Sequence, residues 1–108
     1  MHNKMHGKGV YHYSDGRVYE GYFQNGVKSG QGILKYPDGA SYDGEWKDDY
    51  AHGYGVYHFS HGLIYEGEFY LDHKIGYGKI TTEHGQVYKG RWEKDWCEEF
   101  LGWESFPT

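Results

Sequence analysis

The chain has 108 residues and a net charge of -5; it is 20% aromatic, 18 residues are glycine, and one is cysteine. That charge counts against nucleic acid and weakens a claim on anionic lipid, Cys97 alone forms no internal disulfide and fits a reducing compartment, and no apolar run approaches the roughly 20 residues that span a bilayer. A mean hydropathy of -0.95 beside so many rings suits a thin sheet studded with aromatics, not a compact two-layer core or a disordered chain, which is poor in aromatics and has no long-range period.

Met1 to His6 reads MHNKMH and matches the linkers before later copies of a repeat, so it reads as a stretch between units and not as a dedicated cap. No leader of charged, apolar and small residues precedes the first unit, and a soluble, intracellular, cytoplasmic protein is expected. Gly7 and Gly9 open that unit, and Gly30 with Gly32, Gly53 with Gly55 and Gly76 with Gly78 repeat the pair every 23 residues. Gly16, Gly39, Gly62 and Gly85 keep the phase, as do Tyr19, Tyr42, Tyr65 and Tyr88, and the copies close on Phe23, Trp46, Phe69 and Trp92. A fixed period of this size marks an array whose units bury apolar surface only against their neighbours. The array is assigned to 1-95, with copies near 7-23, 30-46, 53-69 and 76-92, and the aromatic tail to 96-108.

Within the first copy, Gly7, Gly9, Tyr11 and Tyr13 share one side and Lys8, Val10 and His12 the other; later, Tyr19, Gly21 and Phe23 oppose Glu20 and Tyr22. Period two means strand. In the second copy Tyr36-Pro37-Asp38-Gly39 has the preferences of a type I turn, and a left-handed Gly39 makes it a three-residue loop with a bulge. Tyr36 then faces Ala40, Leu34 faces Tyr42, Gly32 faces Gly44 and Gly30 faces Trp46, which gathers the apolar side chains on one face. Between copies, Asn25-Gly26 is a two-residue corner. It predicts Phe23 opposite Lys28, Gly21 opposite Gly30 and Tyr19 opposite Gly32. Later linkers carry Asp49, Asp72 and Asp95 in place of Gly26, and since Asp tolerates positive φ less well than Gly, longer loops are the expectation there.

Together these rules predict an all-β, single-layer antiparallel meander of stacked hairpins with about eight strands, its glycines in rows that leave room for rings. The fourth copy is least regular, with Lys79, Thr82, Glu83 and His84 at odds with the pattern. A fifth would need glycine at 99 and 101, where Glu99 and Leu101 stand. Trp96, Phe100 and Trp103 lie at helical spacing, so the tail is expected to be a short helix or turn that caps the last hairpin, or a hook for a partner.

The pattern of Tyr42, Gly44 and Trp46, then His52, Gly53 and Gly55, and again Tyr65, Gly67 and Phe69, resembles the MORN family (membrane occupation and recognition nexus) over roughly Asn3 to Asp95. The resemblance implies a single-layer sheet curved into a trough and an interaction module without the catalytic domains that some members carry. Members occur in ciliary radial spokes, parasite cytoskeletal structures, junctional membrane proteins, lipid kinases and a histone methyltransferase. A cytoskeletal, axonemal or ciliary setting is therefore what the resemblance implies.

Catalytic and cofactor chemistry finds no support. Glu20, Asp43 and Glu66 recur one repeat apart, roughly 10 Å, which is a solvated polar face and not a pair across one cleft. His12 and His58 are two repeats apart, and His58 and His61 lack the partners of a four-ligand metal set. Gly30-Gln31-Gly32 leads into a strand and not a helix N-terminus, so it is no phosphate loop. Cys97 sits beside Glu98 and Glu99, which disfavour the thiolate. The chain is read as non-enzymatic, with no cofactor and no metal. The function expected is a scaffold or adaptor whose trough holds a partner helix or extended peptide on Tyr11, Tyr13, Tyr19, Phe23, Tyr36, Tyr42, Trp46, Tyr57, Phe59, Tyr65, Phe69, Tyr88 and Trp92. The alternative is a peripheral membrane module that binds phospholipid, and end-to-end self-association through the sheet edges is also open.

Overall fold

The structure, a computed structural model, describes residues 6-94 and 96-105, the second stretch through its backbone. Alternating apolar and polar positions form β1 (Gly7–His12), β2 (Val18–Gln24), β3 (Val27–Lys35), β4 (Ser41–Lys47), β5 (Tyr50–His58), β6 (Ile64–Tyr70), β7 (His73–Thr81), β8 (Gln86–Glu93) and β9 (Trp96–Ser105). They pair antiparallel in strict chain order as one nine-stranded sheet. The principal dimensions are 56 × 24 × 21 Å. The sheet is open and uncurled, so the curvature into a trough that the resemblance implies is not seen.

Within each copy the expected loop is present. Gly39 has φ +96°, its N–H donates to the Tyr36 carbonyl at 3.1 Å, and Tyr36 N–H donates to Ala40 at 2.9 Å. The same pair of bonds closes the fourth copy through Thr82, Gly85 and Gln86, although Glu83-His84 replaces Pro-Asp there. Leu34 faces Tyr42, Gly32 faces Gly44 and Gly30 faces Trp46, as the face argument requires.

Between copies the register departs from the expectation. Phe23 does face Lys28, but Gly21 then faces Gly32 and Tyr19 faces Leu34, with a shift between Gly21 and Phe23. Two residues of β3, Ser29 and Gly30, are taken up there, and Gly30 at φ +79° supplies the left-handed backbone that such a bulge uses. A displacement of two residues preserves side-chain parity, so the faces survive. It also brings Gly9, Gly21, Gly32, Gly44, Gly55, Gly67, Gly78 and Gly90 abreast in one row across β1 to β8.

The later linkers are not longer loops. Lys47 pairs with Tyr50 and Tyr70 with His73, with positive φ at Asp48, Asp49, Leu71 and Asp72. The aspartates offset that strain with their carboxylates: Lys28 N–H donates to Asp49 and Ala51 N–H to Asp72, each at 2.7 Å. Glycine has no side chain with which to do this.

The tail is a strand, which corrects the expected helix and the count of eight. β9 pairs with β8 along its length, with Tyr88 opposite Trp103, Gly90 opposite Phe100 and Trp92 opposite Cys97, and with two irregularities in the ladder. Spacings of four and three between rings do not decide between helix and strand, whereas an open edge of β8 offers a row of backbone donors and acceptors that a strand satisfies. The side chains of Trp96, Phe100 and Trp103, on which the reading as a cap or a hook turned, lie outside the described residues, as do Met1 to Met5 and Asp95.

Candidate functional site

The glycine row is the seat of the aromatic face. The Tyr19 ring covers Gly21 on its own strand and Gly32 on the next; Tyr42 covers Gly44 and Gly55, and Tyr65 covers Gly67 and Gly78. Each hydroxyl donates to a backbone carbonyl three residues on, Tyr19 to Tyr22 at 2.9 Å, Tyr42 to Glu45 at 3.1 Å and Tyr65 to Glu68 at 3.5 Å. The rings then meet edge to face in a line. Phe23 meets Tyr19 at 5.0 Å between centroids, Tyr19 meets Trp46 at 5.5 Å, Trp46 meets Tyr42 at 5.0 Å and Tyr42 meets Phe69 at 4.9 Å. Phe69 to Tyr65 and Tyr65 to Trp92 are both 5.4 Å, and Trp92 to Tyr88 is 6.4 Å. This T-shaped geometry adds to what burial alone contributes. Trp46 Nε1–H donates to the Gly32 carbonyl at 3.0 Å, while Trp92 Nε1 has no acceptor among the described residues. Burial pushes the Tyr19 phenol up to about 12 and lifts that of Tyr42 further still, with Glu45 and Asp72 adding to the effect on Tyr42.

The expected contact residues fall into two tiers. Tyr19, Phe23, Tyr42, Trp46, Tyr65, Phe69 and Trp92 are buried and form the core of the ribbon. Tyr13, Tyr36, Tyr57, Phe59 and Tyr88 are half-buried and packed over that line, and Tyr11 is 41% exposed. The upper rings touch one another: Tyr11 with Tyr13 at 4.8 Å, Tyr36 with Tyr57 at 6.1 Å and Tyr57 with Phe59 at 4.7 Å. Their outer faces are the aromatic surface that solvent or another molecule reaches. Burial raises the pKa of the Tyr36 and Tyr57 phenols as well.

Two features escaped the sequence reading. Lys28 is 7% exposed, and its Nζ donates to Tyr13 Oη at 2.8 Å, pairs with Asp49 at 3.3 Å and lies 5.3, 5.7 and 5.2 Å from the ring centres of Tyr13, Tyr19 and Trp46. Its signal in the sequence is that Lys28 and Lys74 share a phase two repeats apart. The other feature is on the opposite face, which alternation marks as polar. Tyr54 and Tyr77, 52% and 69% exposed, line a cleft of about 360 Å³ there with Glu66, Lys79 and Lys89. Tyr54 Oη donates to Glu66 at 3.2 Å, and Lys79 approaches the same carboxylate at 4.0 Å. Each of these tyrosines is set between two glycines one repeat apart, which is the signal that marks them. Among the described residues no group of three or more His, Cys, Asp or Glu converges, and no helix is long and apolar enough to cross a membrane.

An open meander of equal units, with one face of interlocked rings and loops of constant geometry, defines a repeat-type interaction module. The chain belongs to the MORN repeat family, whose model matches residues 1–16, 19–41, 42–63 and 65–83. The last three matches begin on Tyr19, Tyr42 and Tyr65, the residues whose rings bridge two strands. Comparison with curated proteins finds no match. MORN repeats are non-catalytic modules for protein or membrane interaction.

Proposed function

We propose that this protein is a non-enzymatic scaffold or adaptor that holds a helix or extended peptide of a partner along its aromatic face, in a cytoskeletal or ciliary assembly of the cytoplasm. The observation that carries the reading is the upper tier of rings. Tyr13, Tyr36, Tyr57, Phe59 and Tyr88 are held in place from below by a sealed core, the exposed Tyr11 leans on Tyr13, and all six keep outer surface accessible. Tyrosines fixed in this way offer large contact area at low entropic cost, as at protein interfaces. The buried tier serves as their support. The setting in an assembly rests on family likeness alone.

Affinity capture with the folded chain and with a Tyr36→Ala/Tyr57→Ala variant, read by mass spectrometry, tests this. Proteins retained by the first and lost from the second support the reading; identical sets from two equally folded proteins overturn it. Vesicle flotation at low and high salt separates the membrane alternative, which salt-sensitive flotation would favour. β1 stands at one end of the strand order with Val10 and Tyr11 exposed, so light scattering across concentration tests end-to-end pairing, and a constant monomer mass removes it.

A further inference from the structure

Lys28 and Lys74 fill equivalent seats on the aromatic face. Lys28 Nζ lies over Tyr13, Tyr19 and Trp46, and Lys74 Nζ lies 5.7 Å from the centre of Phe59 and 5.5 Å from that of Tyr65. Between them, one repeat from each, the same position holds Ala51. Alanine carries no cation. The rings equivalent to the cation's neighbours are Tyr36, Tyr42 and Phe69, and with Ala51 and Asp72 they line a pocket of about 220 Å³.

Asp72 completes the equivalence. In the filled seat Asp49 accepts from the Lys28 amide at 2.7 Å and pairs with its ammonium at 3.3 Å. Asp72 accepts from the Ala51 amide at the same 2.7 Å, and no cation pairs with it among the described residues. Arg17 and Lys28 also line the pocket, but Arg17 is bonded to Asp15 at 2.9 Å and Lys28 to Asp49. Three ring walls and a carboxylate, in a place where the chain twice puts its own lysine, constitute a cation site.

We infer that the Ala51 pocket binds the ammonium end of a lysine side chain from another protein, inserted between Tyr36, Tyr42 and Phe69 and paired with Asp72. The inference rests on the reading of the aromatic face as the surface that meets a partner and supplies one specific contact on it. A lysine is favoured over other cations because both filled seats take an unbranched alkylammonium.

The test is NMR titration of the isotope-labelled chain with N-acetyl-lysine-methylamide, with n-butanol and phosphocholine as comparison probes. Saturable shifts at the Ala51 amide and the Tyr36, Tyr42 and Phe69 rings are expected with the lysine probe and with neither of the others. Ala51→Lys should abolish them, since its own ammonium occupies the seat, and Asp72→Asn, which keeps an oxygen for the Ala51 amide, should weaken binding about fivefold. Equal shifts with butanol, binding of phosphocholine without the lysine probe, or an unaltered titration in folded Ala51→Lys would each overturn the site. If Ala51→Lys fails to fold, Asp72→Asn decides, and undiminished binding there overturns it. A captured partner lost on Tyr36→Ala/Tyr57→Ala yet bound normally by Ala51→Lys would sink the lysine site and leave the scaffold reading standing. Lysine-probe shifts without any captured partner would do the reverse.

Discussion

The ring of Tyr42 occupies the space that a Cβ on Gly55 would need, across the boundary between two repeats. Gly55→Ala and its counterpart Gly32→Ala, beneath Tyr19, should each destabilise the fold by about 2 kcal/mol, in the range for overpacking. Gly9 has the same place in β1 but only Phe23 nearby, at 3.8 Å. Gly9→Ala should therefore be neutral or mildly stabilising, and thermal denaturation of the three variants checks the contrast.

Burial separates the two tiers of rings by their response to truncation. Tyr42→Ala removes a ring that touches Trp46 and Phe69 and covers two strands, and a loss of about 3-5 kcal/mol is expected. Tyr57→Ala, from the half-buried tier, should cost less and leave a folded chain. Urea unfolding measures both, and equal losses would contradict the tiered description.

Trp46 and Trp92 differ in one hydrogen bond. Trp46→Phe removes the bond to the Gly32 carbonyl, at about 1 kcal/mol beyond the change in packing, whereas Trp92→Phe deletes an N–H that has no acceptor among the described residues. Trp92→Phe is expected to be the milder substitution in chemical denaturation.

Alkali should unfold the ribbon within a defined window. The folded state raises the Tyr19 phenol from 10.0 to about 12 because burial disfavours the phenolate, and Tyr42 shifts in the same direction. Above pH 10 the unfolded chain sheds protons that the folded chain retains, so this stability is complete below pH 10 and is lost as pH rises towards 12. Tyrosinate absorbance followed alongside circular dichroism should show these rings ionising together with loss of structure.

Much of the architecture was legible because parity is robust. The period in Gly and Tyr set the strands, and the turn at Pro37-Asp38-Gly39 set the register within each copy. What escaped was the bulge at Ser29 and Gly30. A shift of two residues leaves the faces unchanged, so nothing in the pattern of apolar residues reports it; only the left-handed backbone at Gly30 does. The linkers containing Asp49 and Asp72 were misjudged because propensity for positive φ takes no account of a carboxylate that bonds an amide beside the linker of the preceding repeat. For the tail, ring spacing competed with the demand of an unpaired strand edge, and the edge prevailed. At the candidate site the face was legible, but the division into sealed and accessible rings was not, since equal tyrosines in one row differ only in what lies above them.

Because each bridging tyrosine roofs the strand that follows it, the ribbon behaves as a ruler whose graduations are interchangeable. Excising residues 42-64 in frame would slide Tyr65 into the place of Tyr42 and shorten the molecule by one graduation with every joint still closed. The same cut removes Ala51 and sets Lys28 and Lys74 in consecutive units. Its length would be reduced by a single step, while the lysine seat proposed at Ala51 would vanish altogether.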